Sequence, residues 1–193
     1  MTSEPAIHNE AELSRLAGEI RRRLEKPIVL VGLMGVGKST IGRKLAQALT
    51  VAFHDADDEI EAAAQLSISD IFDRFGEDYF RAGERRVIAR LVTEERGVIA
   101  TGGGAFANDE TRRLILERGL AVWLDTDLDT LVERTSRRDN RPMLRDGDPR
   151  EILRRLKEER DPAYAEAPIR ITSSTGPHAE TVAAILEKLD AWL

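Results

Sequence analysis

This sequence predicts an α/β fold in which a parallel β-sheet is covered by helices on both faces. Short apolar runs recur at residues 28–31, 52–53, 98–100, 121–124 and 169–171. They are too continuous for strands with one solvated face, and amphipathic helical patterns separate them. At 193 residues and 41% hydrophobic content, the chain is sized for one domain with a continuous core.

The elements follow in order. Residues 1–26 are polar and charged, with Leu13, Leu16, Ile20 and Leu24 at helical spacing. That pattern predicts an amphipathic helix ahead of a domain spanning 27–193. Within the domain, three further groups fall on helical patterns: Ile41, Leu45 and Leu49; Phe80, Val87, Ile88 and Leu91; and Val182, Ile185, Leu186 and Leu189. Open parallel sheets bind ligands beyond the carboxyl ends of their strands, so the residues just after each apolar run are the candidates for function.

Composition removes several classes. There is no cysteine, which excludes disulfides, zinc–thiolate sites and cysteine nucleophiles and fits a reducing cytoplasm. No apolar run reaches membrane-spanning length and no signal core opens the chain, so neither insertion nor secretion is expected. A net charge of -6 argues against a general nucleic-acid binder. Residues 134–160 are nevertheless thick with arginine, as either a solvated helix face or a site for a small polyanion requires.

After the first apolar run comes GLMGVGKST at 32–40, followed at once by a helical pattern. This is the phosphate-loop spacing of glycine, four residues, then Gly37-Lys38-Ser39. Glycine backbone freedom lets successive N–H groups wrap a phosphate at a helix N-terminus. Lys38 reaches the outer phosphates of a nucleotide in such a loop, and the Ser39 hydroxyl can ligate magnesium.

The second run leads into Asp55-Ala56-Asp57-Asp58. If the strand continues, Asp55 and Asp57 share one side of its tip, where one carboxylate can support magnesium and the other orient an acceptor hydroxyl. Asp57, Asp58 and Glu59 equally suit the N-terminus of a helix, and the two readings are compatible. The third run ends in Gly102-Gly103-Gly104, either a flexible turn or bare backbone placed for close approach by a ligand.

Three arginines stand out. Arg81, four residues after Glu77, is either a surface ion pair or a planar fork for a carboxylate. Arg141 lies in a polar loop broken by Pro142, Gly147 and Pro149, which suits a lid closing over phosphates. Arg160 precedes Asp161-Pro162, and the proline predicts a helix ending there with Arg160 at its C-terminus.

Taken together, GLMGVGKST at 32–40, DAD at 55–57, FR at 80–81, GGG at 102–104, RP at 141–142 and RDPAY at 160–164 resemble the shikimate kinase family from about residue 28 onward. The resemblance implies a three-layer P-loop fold of nucleoside-monophosphate-kinase type with a five-stranded parallel sheet in order 2-3-1-4-5. It implies transfer of the ATP γ-phosphate to the 3-hydroxyl of shikimate. By that analogy Gly35, Val36, Gly37, Lys38, Ser39 and Thr40 hold phosphates, and Ser39 and Asp55 support Mg2+. Asp57 holds the acceptor hydroxyl, and Arg81 and Arg160 grip the substrate carboxylate. Gly102, Gly103 and Gly104 line the substrate, Arg141 is the lid arginine and Arg134 lies against adenine; Lys38, Asp57 and Arg141 form the catalytic set. Substrate-binding helices are implied over about 57–96, and a lid over about 136–150. The family often has a basic residue in the loop after the last strand, where this chain has Ser174-Thr175-Gly176-Pro177. A cytoplasmic monomer acting on shikimate and ATP, with neither nucleic acid nor membrane as partner, is the expectation.

Three rivals remain at this point, one of them a nucleotide-binding module without turnover, which the paired aspartates and the arginine-bearing loop weigh against. A related small kinase would phosphorylate gluconate or a nucleoside monophosphate. A guanine-nucleotide switch would carry an Asn-Lys-x-Asp segment, which this sequence lacks.

Overall fold

In the computed structural model, residues 10–136, 147–173 and 176–193 are described. The sheet is built from β1 (Ile28–Val31), β2 (Phe53–Asp55), β3 (Val98–Ala100), β4 (Leu120–Asp125) and β5 (Ile169–Thr172). All strand pairs are parallel and the order is β2-β3-β1-β4-β5, as the resemblance implied. Ile28 is in register with Val98 on one side and Leu120 on the other. Every residue of β1, β3 and β4 is buried, the outcome expected for central strands with helices on both faces. The edge strand β5 differs: Ile169 and Ile171 are buried while Arg170 and Thr172 are exposed.

Eight α-helices are described: α1 (Glu10–Arg23), α2 (Lys38–Leu49), α3 (Ala56–Ala64), α4 (Ile68–Glu94), α5 (Asp109–Arg118), α6 (Leu128–Ser136), α7 (Pro149–Tyr164) and α8 (His178–Trp192). Helix α1 packs onto α2 and α8, burying Ala17 and Ile20, and Arg23 pairs with Asp190 at 2.9 Å. Helix α4 is two helices joined at Gly76, whose φ of 81° no L side chain adopts comfortably. Around it, Ile60, Ile71 and Phe80 form a small hydrophobic cluster separate from the main core.

Two sequence expectations change here. Strand β2 ends at Asp55 and α3 starts at Ala56, so Asp57 sits in the first turn of a helix rather than on a strand. The Asp55 side chain causes this by capping α3, accepting from the Asp57 N–H at 3.1 Å. Helix α7 does not stop at Arg160 but runs through Pro162 to Tyr164. A proline in the last turn removes a single intrahelical bond, and the tertiary packing of buried Arg160 and Tyr164 holds that turn.

Helix α7 is pinned to the sheet by Asp125 at the tip of β4. Lys157 Nζ donates to Asp125 Oδ1 and Arg170 Nη2 to Oδ2, both at 2.6 Å, and both cations lie over the Trp123 ring. Burial alone would push the Asp125 carboxyl up, but these two donors outweigh it and hold it below the usual carboxylate range. A depressed carboxyl contributes stability above its unfolded value near about pH 4 and loses it as pH falls through the folded value. Asp125→Asn is therefore expected to cost about 1–3 kcal/mol at neutral pH. Urea denaturation of both proteins checks this, with the gap constant from about pH 5 to 8 and closing below about pH 4.

Candidate active site

The phosphate loop connects β1 to α2. Gly37 caps α2 in the left-handed region at φ 96°, and a Cβ on Gly32 would collide with the Leu124 carbonyl, so both positions require glycine. The N–H groups of the first turn of α2, which an α-helix does not bond within itself, lie at the end of this loop. Lys38 is almost buried, and its Nζ arches back to donate to the carbonyls of Gly32 at 2.7 Å and Leu33 at 2.9 Å. Arg134 on α6 crosses to the same loop, with Nη1 3.4 Å from the Val36 carbonyl.

Beside this loop, Ser39, Thr40, Arg43, Lys44, Asp55, Asp57 and Asp58 enclose a cavity of about 560 Å3. The α2 hydroxyls thus face the carboxylates at the end of β2. Negative charge accumulates there: burial, then repulsion from Asp55, raises the Asp58 carboxyl despite the neighbouring Arg43. Hydroxyl and carboxylate oxygens of Ser39, Thr40, Asp55, Asp57 and Asp58 share this lining with the cations Arg43 and Lys44, and oxygens of that kind suit a hard divalent cation.

On the other side of the loop lies the triple-glycine turn after β3. None of its glycines has positive φ, so flexibility is not why they are glycine. Space is the reason. A Cβ on Gly102 would lie 2.5 Å from Glu84 Oε1 and 3.2 Å from Asp57 Oδ1; on Gly103, 2.9 Å from the Met34 amide nitrogen; on Gly104, 2.7 Å from Arg81 Nη1. The turn is therefore the meeting point of the phosphate loop, the Asp57 carboxylate and the Arg81 guanidinium. Arg160 arrives from α7, its Nη1 donating to the Gly103 carbonyl at 3.0 Å, and Tyr164 donates its hydroxyl to the same oxygen.

Arg81 is both an ion pair and a candidate fork. Its Nε and Nη2 bond Glu77 Oε1 at 3.2 and 3.1 Å, and Nη1 bonds Glu84 Oε2 at 2.8 Å. Burial disfavours its charge, yet Glu84, then Glu77, more than compensate and hold the guanidinium above its ordinary value.

Of the residues singled out in the sequence, the structure brings Gly35, Val36, Gly37, Lys38, Ser39, Thr40, Asp55, Asp57, Arg81, Gly102, Gly103, Gly104, Arg134 and Arg160 around one end of the sheet. Arg141, with residues 137–146 of the expected lid, and Ser174 and Thr175 of the loop after β5 fall outside the described residues. Glu84 was missed. Its signal was present, because it falls on the apolar stripe of Phe80, Ile88 and Leu91, where a carboxylate is out of place unless paired. Tyr164 stood in a quoted motif without being given a role.

The family model for shikimate kinase matches residues 34–190. The chain belongs to the shikimate kinase family. It is 56% identical over 197 residues to the shikimate kinase of Novosphingobium aromaticivorans, the match covering all of both chains. Its fold superposes on the solved structure of shikimate kinase from Acinetobacter baumannii in complex with shikimate with a TM-score of 0.85 and 37% identity, covering 89% of this chain and 97% of that one. A gluconokinase from Sinorhizobium meliloti shares the fold at 22% identity and a TM-score of 0.52. At that distance the likeness extends to the fold alone.

Proposed function

We infer that the chain transfers the γ-phosphoryl group of ATP to the 3-hydroxyl of shikimate, giving shikimate 3-phosphate and ADP. As a member of this family it is an ATP-dependent kinase. The observation that carries the substrate is the convergence of Arg81, Arg160 and Asp57 on a glycine turn that also touches the phosphate loop. Two guanidinium groups suit a carboxylate, and one carboxylate suits an alcohol, on a single small molecule.

Phosphoryl transfer asks for positioning and charge neutralisation more than covalent help. The N–H groups of residues 35–40 hold the phosphates, and Lys38 follows charge onto the transferring group. The Asp57 carboxylate accepts a hydrogen bond from the attacking hydroxyl and takes its proton as the new P–O bond forms. Arg81 and Arg160 fix the acid end of the substrate, and Arg134 lies against the nucleotide. Arg141 is assigned the lid role from the sequence.

Magnesium fits the donor set. Ser39 offers a hydroxyl and Asp55 a nearly buried carboxylate, an all-oxygen pair on one cavity wall. Among the described residues no three His, Asp or Glu side chains form a cluster of their own. A bound Mg2+ would neutralise the phosphate oxygens, with Ser39 its direct ligand and Asp55 its support. No described helix is long and apolar enough to cross a membrane. With no cysteine and a net charge of -6, the reading is completed by a cytoplasmic monomer that takes neither nucleic acid nor a membrane as partner.

Release of ADP, measured in parallel with shikimate, gluconate, AMP and CMP, tests the reading. Turnover with shikimate is expected to exceed the others by at least about a hundredfold in kcat/KM, and to stop when EDTA removes divalent cations. Comparable turnover with gluconate or a nucleotide would overturn the substrate assignment.

A further inference from the structure

The Gly103 carbonyl accepts two hydrogen bonds, from Arg160 Nη1 and from the Tyr164 hydroxyl, so both of its lone pairs are in use. Both donors come from α7, one turn apart. Arg160 therefore faces two demands: the site reading requires its guanidinium to fork a carboxylate, while the glycine turn draws on one of its N–H groups.

Tyr164 is built to meet the second demand. Its side chain is 1% exposed, stacked with Phe106 at 6.4 Å and set against Trp123 at 5.9 Å, which leaves the ring no freedom to leave the carbonyl. Burial, partly offset by Arg160, pushes the hydroxyl up to about 12, so it remains a protonated donor at working pH. Neither ring stacking nor burial needs an oxygen at this position. A phenylalanine would fill the same space.

We propose that Tyr164 is a positioning residue for the carboxylate end of the substrate: its hydroxyl fixes the Gly103 peptide and so leaves the Arg160 fork aimed at the acid. The proposal rests on the reading of Arg160 as a carboxylate grip. Without the hydroxyl, Gly103 keeps Arg160 as its one donor. The guanidinium is then held back toward the carbonyl, and the peptide joining Gly103 to Gly104, which packs against Arg81, loses its second anchor.

Tyr164→Phe keeps the packing and removes the bond. Steady-state kinetics is expected to show the KM for shikimate raised about 5- to 20-fold, with the KM for ATP within about twofold and kcat within about threefold. A merely structural role would lower Tm and leave both KM values where they were; that outcome, or an equal rise in both, overturns the proposal. Arg160→Lys and the double variant complete a cycle. If Tyr164 acts through Arg160, the double variant is less impaired for shikimate than the product of the two single effects, whereas multiplicative effects overturn the coupling. An Arg160→Lys protein with unchanged shikimate KM would sink the site reading itself. A raised KM there combined with a normal Tyr164→Phe protein would sink only this inference.

Discussion

Asp57→Asn is expected to lower kcat by about 10²- to 10⁴-fold while leaving the KM for ATP within about a factor of two. The substitution is nearly isosteric, and the backbone N–H that donates to Asp55 Oδ1 survives the change. What is lost is the carboxylate, whose Oδ1 lies beside Gly102 at the edge of the glycine turn. An amide there can still orient a hydroxyl but cannot accept its proton as the P–O bond forms. A kcat within about threefold of the parent would remove Asp57 from the proposed mechanism. Binding of a non-hydrolysable ATP analogue, measured by calorimetry, separates this from damage to the neighbouring phosphate loop.

The phosphate loop could be read residue by residue from the sequence because its chemistry is local. It needs glycine at fixed positions and N–H groups at a helix start, and both are properties of consecutive residues. The central strands were legible for a related reason: burial on both faces leaves unbroken apolar runs such as residues 28–31. Contacts between segments distant in the chain were harder to see. That Gly102, Gly103 and Gly104 are glycines for want of room follows from Glu84, Met34 and Arg81, and no spacing within the turn encodes those neighbours. Asp57 lay two residues beyond Asp55, whose side-chain cap converts strand into helix. The placement of Arg160 inside α7 depended on tertiary packing overriding a proline. Asp125, Lys157 and Arg170 come from three elements, and their ion pairs became visible only with the sheet assembled.

Arg81→Lys is expected to raise the KM for shikimate about 10- to 100-fold, again with the KM for ATP nearly unchanged. A guanidinium has five N–H groups. Three are engaged, one each at Nε, Nη1 and Nη2, by Glu77 and Glu84. That leaves one on each terminal nitrogen for a substrate carboxylate. Helix geometry supplies the two acidic partners, at i-4 and i+3, so the orientation of the fork is set before any ligand arrives. Lysine keeps the charge and loses this division of labour. One ammonium cannot satisfy Glu84, whose side chain is 3% exposed, and also face a substrate acid in two directions. Glu84→Gln supplies the contrast: it keeps the fork but loosens its orientation, and a smaller shikimate-selective effect is expected than from Arg81→Lys. Equal rises in both KM values for Arg81→Lys would mean that this arginine serves the domain as a whole rather than the carboxylate.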